Sequence, residues 1–274
     1  MIKLLFVGDI VGRPGRELMR RGLAPIVAQH GIDLVIANAE NAAAGFGLTP
    51  DIADDLFEYG VHVMTGGNHT WDKKELIPYL ADHPRVLRPA NFPAGVPGVG
   101  HCVARTAGGV PVGVVNVMGR VFMVALDDPF RVVEHAIDAV RREAKIVLVD
   151  FHAEATSEKV AMGWHLDGRA TAVVGTHTHV QTADERVLPQ GTAYITDVGM
   201  TGPHDSVIGV ERTAILQRFL TALPQRFETA SENPRLNAVI VTADEATGRA
   251  IAIDRLSLST QAIEALVAQP VGAR

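Results

Sequence analysis

Short apolar runs alternate with amphipathic segments along the first 80 residues of the chain. The apolar runs contain many β-branched residues, which predicts buried strands at residues 3–7, 33–37 and 61–64. Residues 12–30 have the spacing of an amphipathic helix that ends at Gly31. A second helix is predicted to begin at Thr49-Pro50, because threonine caps helices and proline suits their first turn. This order of strand, loop and helix predicts a mostly parallel sheet with helices outside it.

The pattern changes after residue 82. Residues 83–100 are rich in proline and glycine, which predicts a long irregular segment on the surface. Beyond it, apolar alternation and turn residues predict hairpins at 102–118 and 187–196, helices at 130–143, 157–164 and 211–220, strands at 145–151 and 172–174, and a two-strand ribbon at 237–258. We find no internal repeat and no interdomain linker. The sequence therefore predicts one domain over residues 1–274, with parallel units first and antiparallel ribbons later.

Polar side chains with metal-binding chemistry follow five of the predicted strands at the point where each strand ends. They are Asp9, Glu40, Asn41, Asn68, His69, His152, His177 and His179. The last two belong to the stretch Gly175-Thr176-His177-Thr178-His179, whose two imidazoles can face one point. Because ligands of open parallel sheets bind at the carboxyl ends of the strands, we expect these side chains to meet at one edge of the sheet.

The types of these side chains favour a catalytic metal. Carboxylates, amide oxygens and imidazoles without a thiolate suit manganese or iron, and zinc is also compatible. Apart from His69, the set offers more ligands than one ion needs in an open site, so two divalent ions about 3.5–4 Å apart that share Glu40 are expected. Each residue has an ordinary alternative on its own: Asp9 as a helix cap, Asn68 as a turn amide, or His152 as a hydrogen-bonded core histidine. Their joint occurrence at five strand ends favours the metal site.

The composition and net charge disfavour several classes of protein and of metal site. The chain has 274 residues, of which 47% are hydrophobic and 20% charged, and its net charge of −6 disfavours stable binding to nucleic acid or to an anionic membrane. The single cysteine, Cys102, excludes an intrachain disulfide and a cysteine-ligated zinc site, and is expected to be a small buried apolar residue. No signal peptide or membrane helix is predicted, so the expected location is the cytoplasm. Apolar strand edges are compatible with a homo-oligomer.

Several motifs resemble those of a known superfamily. Gly8-Asp9, Gly67-Asn68-His69, His152 and the 175–179 stretch resemble the motifs of the calcineurin-like metallophosphoesterases. Residues 8–12, 37–41 and 197–202 resemble the YmdB branch specifically. The superfamily usually has histidine where this chain has Val11, and a bridging aspartate where this chain has Glu40. Both differences agree with that branch. The resemblance extends to about residue 210.

This resemblance implies a fold, an activity and a set of ligands. The implied fold is a four-layer α-β-β-α sandwich with mixed sheets and helices outside, and the implied activity is a phosphodiesterase acting on 2′,3′- or 3′,5′-cyclic nucleotides. The resemblance assigns one ion to Asp9, Asn41 and His179, the other ion to Asn68, His152 and His177, and the bridge to Glu40.

A hydroxide activated by the two ions is expected to attack phosphorus, and His69 is expected to act as the general acid that protonates the departing ribose oxygen. Asp72 is expected to orient His69. Arg13 and Arg16, at a predicted helix start, either hold phosphate or are exposed surface residues.

Four other functions are weighed. A metal-dependent amidohydrolase barrel also uses a His-x-His pair, but near its first strand, and the late hairpins do not fit eight strand–helix units. A regulatory nucleotide-sensing protein could keep the fold, although no expected ligand is missing. Hydrolysis could also feed a signalling output. A phosphomonoesterase acting on nucleotides or phosphoproteins is the nearest competitor, because a metal site alone does not determine the substrate.

Overall fold

Side chains alternate along the first strand so that its two faces pack into different cores. Leu4 and Phe6 face one core, while Leu5 and Val7 face another. The computed structural model describes residues 1–268. Its strands are β1 (Ile2–Val7), β2 (Leu34–Asn38), β3 (Val63–Thr65), β4 (His101–Arg105), β5 (Pro111–Met118), β6 (Ile146–His152), β7 (Ala172–Thr176), β8 (Arg186–Val187), β9 (Ala193–Ile195), β10 (Gly202–Pro203), β11 (Pro234–Ala243) and β12 (Ala250–Ser259). Its helices are α1 (Gly12–His30), α2 (Pro50–Glu58), α3 (Leu76–Asp82), α4 (Pro129–Val140), α5 (Thr156–His165), α6 (Arg212–Thr221) and α7 (Thr260–Val267).

The strands form two mixed sheets of six strands each among the described residues. In the first sheet, β1, β2 and β3 are parallel neighbours, β11 is antiparallel to β1, and both β10 and β12 pair with β11. In the second sheet, β5, β6, β7 and β9 run parallel, while β4 and β8 are antiparallel at its two edges. The predicted hairpins and the C-terminal ribbon are therefore confirmed.

Three apolar cores hold the layers together. The central core lies between the sheets and joins Phe6 of the first sheet to Leu148 of the second. The outer face of the first sheet packs against α1, α2 and α7, and that of the second packs against α4 and α5. Burial of these apolar faces is the main stabilising contribution to the fold. This arrangement is the four-layer α-β-β-α sandwich that the resemblance implied, and it excludes the barrel.

Helix ends follow the sequence signals. The Thr49 hydroxyl accepts a hydrogen bond from the backbone N–H of Ile52, with Pro50 in the first turn of α2. Gly31 ends α1 in the left-handed conformation, with φ of 62°. Two helices, α3 and α7, were not predicted. No helix within residues 1–268 has the length and apolar character needed to span a membrane.

One prediction about the sheet was wrong. The polar residues at the strand ends do not lie along one sheet, because β1, β2 and β3 belong to the first sheet and β6 and β7 to the second. Apolar periodicity reports burial along a strand, but not which sheet the strand joins. The predicted single domain over 1–274 stays a prediction, and residues 269–274 lie outside the described part.

Candidate metal centre

The predicted ligands gather where the carboxyl ends of the two sheets meet. Asp150 in β6 joins the sheets at this edge: its Oδ2 accepts hydrogen bonds from Asn38 Nδ2 at 3.1 Å and from Thr65 Oγ1 at 2.5 Å. Its Oδ1 accepts one from Thr176 Oγ1 at 2.7 Å. Asp150 therefore connects the ends of β2 and β3 to β6 and β7. Sequence analysis did not select it, although an aspartate inside the apolar run of β6 is the signal that could have done so.

Three electron-rich atoms surround one nitrogen of His152. Its Nε2 lies 2.9 Å from Asn68 Oδ1, 3.2 Å from Glu40 Oε1 and 3.1 Å from His177 Nδ1. A single imidazole N–H can satisfy only one of these neighbours well. On the other side of the ring, Nδ1 lies 2.9 Å from Thr176 Oγ1, whose proton goes to Asp150. Donation from Nδ1 to that hydroxyl leaves the Nε2 lone pair facing the cluster, as a metal-binding histidine requires.

Asp9 supplies a second sign of a cation site. Its carboxylate is fully buried, and Oδ1 has no hydrogen-bond partner within the described structure. Its Oδ2 accepts from the backbone N–H of His177 at 3.2 Å. Since buried polar atoms are nearly always paired, an unpaired carboxylate oxygen beside histidines fits a bound cation. Glu40, His152 and His177 independently form a group whose ligand atoms lie within 4.8 Å of one another.

Asn41 and His179 form a second pair beside Glu40. Asn41 Nδ2 is 3.1 Å from His179 Nε2 and 3.1 Å from Glu40 Oε1. His179 Nδ1 lies 2.8 Å from the carbonyl oxygen of Ile208, which makes Nδ1 the protonated nitrogen and leaves Nε2 to face Asn41. As a metal ligand, Asn41 would need the opposite amide orientation, with its oxygen toward His179, which a half-turn of the amide group about the Cβ–Cγ bond gives.

Burial and close charge shift the pKa values of the cluster strongly. Burial opposes ionisation of Glu40, but the imidazole of His152 outweighs it and lowers the pKa of Glu40 to about 2. Burial also disfavours charge on His152, yet Glu40 raises its pKa to about 9. Burial, and then the neighbouring His152, lower the pKa of His177 to about 3. Glu40 and His152 therefore each stabilise the charged form of the other.

His69 lies at the edge of the cluster with its own carboxylate partner. Its Nδ1 is 2.7 Å from Asp72 Oδ2, and its backbone N–H donates to Glu40 Oε2 at 2.9 Å. The ring of Phe46 packs edge-on against the His69 ring, with centroids 5.0 Å apart. Hydrogen bonding to Asp72 fixes the orientation of the imidazole. Asp72 is thus placed as the sequence analysis expected.

The two arginines of α1 differ in their surroundings. Arg16 Nη1 donates to the carbonyl oxygen of Ala42 at 2.5 Å, which supports the loop that carries Glu40 and Asn41. Arg13 is exposed and lines a cavity of about 770 Å³ on the outer side of α1. None of the predicted ligands among the described residues lines that larger cavity.

A small cavity of about 120 Å³ opens over the cluster. Its lining combines the polar residues Glu40, Asn41, His69, His177 and His179 with apolar ones, among them Val11, Phe46, Ile208 and Val210. Phe46 is 37% exposed at this mouth and was not selected from the sequence. The glycines on either side of it gave the only hint, because they predict a turn that projects its central side chain.

Known proteins resemble the chain along nearly its whole length. The family model described as YmdB-like protein matches residues 5–256. A 2′,3′-cyclic-nucleotide 2′-phosphodiesterase of Bacillus subtilis is 47% identical over 258 residues, which cover 94% of this chain and 97% of that protein.

Two crystal structures have the same fold. A hypothetical protein from Thermus thermophilus has a TM-score of 0.88 and 44% identity, and the match covers 94% of this chain and 99% of that one. A Mycoplasma pneumoniae protein described as a novel phosphatase also has a TM-score of 0.88, with 35% identity over 94% of this chain and 93% of that one.

Proposed function

The chain belongs to the YmdB-like protein family, and we propose that it is a metal-dependent phosphodiesterase that hydrolyses cyclic nucleotides. The observation that carries this proposal is the arrangement around His152 Nε2, where Asn68 Oδ1, Glu40 Oε1 and His177 Nδ1 all lie within 3.2 Å. Such a group of oxygen and nitrogen atoms suits a divalent transition metal. The name of the Bacillus subtilis relative supports a cyclic phosphodiester as the substrate.

The proposed centre holds two ions. Its ligands are Asp9, Asn41 and His179 for one ion, Asn68, His152 and His177 for the other, and Glu40 as the bridge. The unpaired Oδ1 of Asp9 supports the first site, and the lone pairs around His152 support the second. Manganese and iron fit the mixed oxygen and nitrogen donors best, and zinc is compatible. Two divalent cations would lower the pKa of a water molecule and neutralise charge on the phosphoryl oxygens.

The chain's own residues supply the other requirements of the reaction. Opening a cyclic phosphodiester leaves a ribose oxygen that must take a proton, and His69 lies at the same cavity with Asp72 hydrogen-bonded to its Nδ1. Cleavage of the bond between phosphorus and the 2′ oxygen would leave a nucleoside 3′-phosphate. With a 3′,5′-cyclic substrate, the same proton transfer would go to the 3′ or 5′ oxygen that leaves phosphorus.

The apolar rim of the cavity supports a nucleotide over a bare phosphate ester. Phe46 presents an exposed aromatic ring beside His69, and Ile208 lies at the opposite side of the cavity. A nucleobase stacks on such a ring with a free energy of about 1–3 kcal/mol. A phosphomonoesterase remains the alternative, favoured by the description of the Mycoplasma pneumoniae protein as a phosphatase.

A substrate panel tests the proposal. We expect purified protein with added manganese to open 2′,3′-cyclic AMP faster than it hydrolyses AMP or a phosphoserine peptide, with 3′,5′-cyclic AMP as a second diester. Chelation should abolish turnover, and manganese should restore it. Faster hydrolysis of the monoesters would favour the phosphatase, and binding of cyclic nucleotide without turnover would favour a nucleotide sensor.

A further inference from the structure

The loop that carries His177 and His179 has a backbone conformation that side chains rarely adopt. His177 has φ of +100° and His179 has φ of +67°, although neither residue is glycine. Such conformations persist only where the surrounding structure holds them. Contacts with the residues on both sides of His177 must therefore hold this backbone conformation.

A buried ion pair contacts both neighbours of His177. Lys159 of α5 is 1% exposed in its side chain, and its Nζ lies 2.7 Å from the carbonyl oxygen of Thr176 and 2.5 Å from Asp197 Oδ2. Asp197 is fully buried and accepts from Thr178 twice, from the backbone N–H at 3.1 Å and from Oγ1 at 2.8 Å. Thr176, which precedes His177, is thus bound to Lys159, and Thr178, which follows it, is bound to Asp197.

The surrounding backbone leaves this pair little freedom. Asp197 Oδ1 accepts from the backbone N–H of Gly199 at 2.8 Å, so both of its oxygens are engaged. A Cβ added at Gly175 would overlap the carbonyl oxygen of Thr196 and lie 3.3 Å from Cδ of Lys159. Glycine at 175 therefore allows the end of β7 to approach Thr196 closely. The sequence stretch at 197–202, which no ligand explains, contains both Asp197 and Gly199.

We propose that Lys159 and Asp197 are positioning residues, which hold the 176–178 backbone so that His177 and His179 face the metal centre. This proposal rests on the proposed function, in which these two histidines bind different ions. Removing two charges from water is unfavourable, and an apolar pair of similar volume is often as stable. A buried pair whose hydrogen bonds hold both neighbours of His177 therefore serves the geometry of that strained loop.

Manganese binding to metal-free protein tests the proposal by isothermal titration calorimetry. Lys159→Met and Asp197→Asn should each weaken binding by about 10- to 100-fold, the effect typical of losing a residue that orients a ligand. Thr178→Val removes only one hydroxyl contact, so it should fold normally and weaken binding less. If Lys159→Met and Asp197→Asn do not fold, the manganese affinity of Thr178→Val still tests the proposal.

Two controls separate positioning from general loss of stability. Val173→Ala truncates a buried core residue of β7 whose side chain forms no hydrogen bond with the pair, and Arg169→Met breaks the ion pair with Glu134. Both should lose thermal stability yet bind manganese as the wild type does. The proposal is overturned if the folded variants Lys159→Met, Asp197→Asn and Thr178→Val all bind manganese with wild-type affinity. It is also overturned if the control Val173→Ala loses as much manganese affinity as Lys159→Met and Asp197→Asn do.

Failure of the proposed function would look different. Wild-type protein that binds manganese but does not open cyclic nucleotides would refute the phosphodiesterase, while the affinities of the variants would still decide the role of the pair. Wild-type protein that binds no divalent metal would overturn the positioning role as well.

Discussion

Asn68 Oδ1 lies 2.9 Å from His152 Nε2, although 84 positions separate the two residues in the chain. They follow strands of different sheets, β3 and β6, so the contact exists only because both sheets end at the same edge. Glu40 and His177 reach the same nitrogen from two further strands. The candidate metal centre is therefore a consequence of how the two sheets pack, and it cannot form from either sheet alone.

The two histidines of the 175–179 stretch are predicted to serve different ions. His177 Nδ1 lies 3.1 Å from His152 Nε2, whereas His179 Nε2 lies 3.1 Å from Asn41 Nδ2. His177→Ala and His179→Ala should therefore each lower the manganese content by about one ion per chain, as measured by elemental analysis. His204→Ala is the matched control, because the hydrogen bonds of that ring within residues 1–268 go to Gly202 and Asn237, which are not predicted ligands. Equal loss of both ions in each variant would contradict separate sites.

His69→Ala should keep both metals and lose turnover. General acid catalysis typically contributes about 10²- to 10⁴-fold, and the loss should be largest for cyclic nucleotides, whose ribose oxygen is a poor leaving group. A nitrophenyl diester needs little protonation, so its rate should fall much less. Asp72→Asn should give a smaller loss of the same kind, because it removes only the partner of His69 Nδ1. Equal losses on both substrates would argue against His69 as the acid.

Phe46→Ala should impair binding of substrates that carry a nucleobase. We expect KM for 2′,3′-cyclic AMP to rise about tenfold, because base stacking is lost. Glycerol 1,2-cyclic phosphate has the same reacting ring without a base, and its kinetics should not change. The control substitution is Phe122→Ala, because the Phe122 ring is 90% exposed and does not line the cavity at which Phe46 lies. An equal effect on both substrates would mean that Phe46 acts through the position of His69.

The thiol of Cys102 is predicted to react slowly. Burial raises its pKa to about 12, so the thiolate, which is the reactive form, is scarce at neutral pH. At pH 8, alkylation by iodoacetamide should be about 10³-fold slower in the folded protein than in urea, where the pKa is about 8.5. The folded rate should increase about tenfold per pH unit up to pH 11. Rates within tenfold of each other at pH 8 would contradict the raised pKa of this partly buried thiol.

Much of the site could be predicted because its residues follow short apolar strands. Asp9, Glu40 and His152 each come at or just after a β-branched run, and local pattern is enough to mark a strand end. The side chains that support the site could not be found in this way. Asp150, Lys159 and Asp197 are buried polar residues. The contacts that bring the first two to the site, such as that of Lys159 with Thr176 and that of Asp150 with Asn38, span 17 or more positions. A pattern along the chain contains no information about such pairs.

The same limit explains the error about the sheet. Strands β1 and β6 have equally apolar sequences and are both fully or almost fully buried, yet they belong to different sheets. Which strands pair depends on long-range packing of their faces, and the resemblance to a known superfamily supplied the two-sheet arrangement. Helix α3 was missed because it is only seven residues long and contains a proline.

Turnover of 2′,3′-cyclic AMP, measured while metal-free protein is titrated with manganese, tests the central claim most directly. The binuclear proposal predicts no turnover without metal, and a rate that reaches its maximum at about two ions per chain. Undiminished turnover by the metal-free protein, or a maximum at one ion per chain, would contradict it.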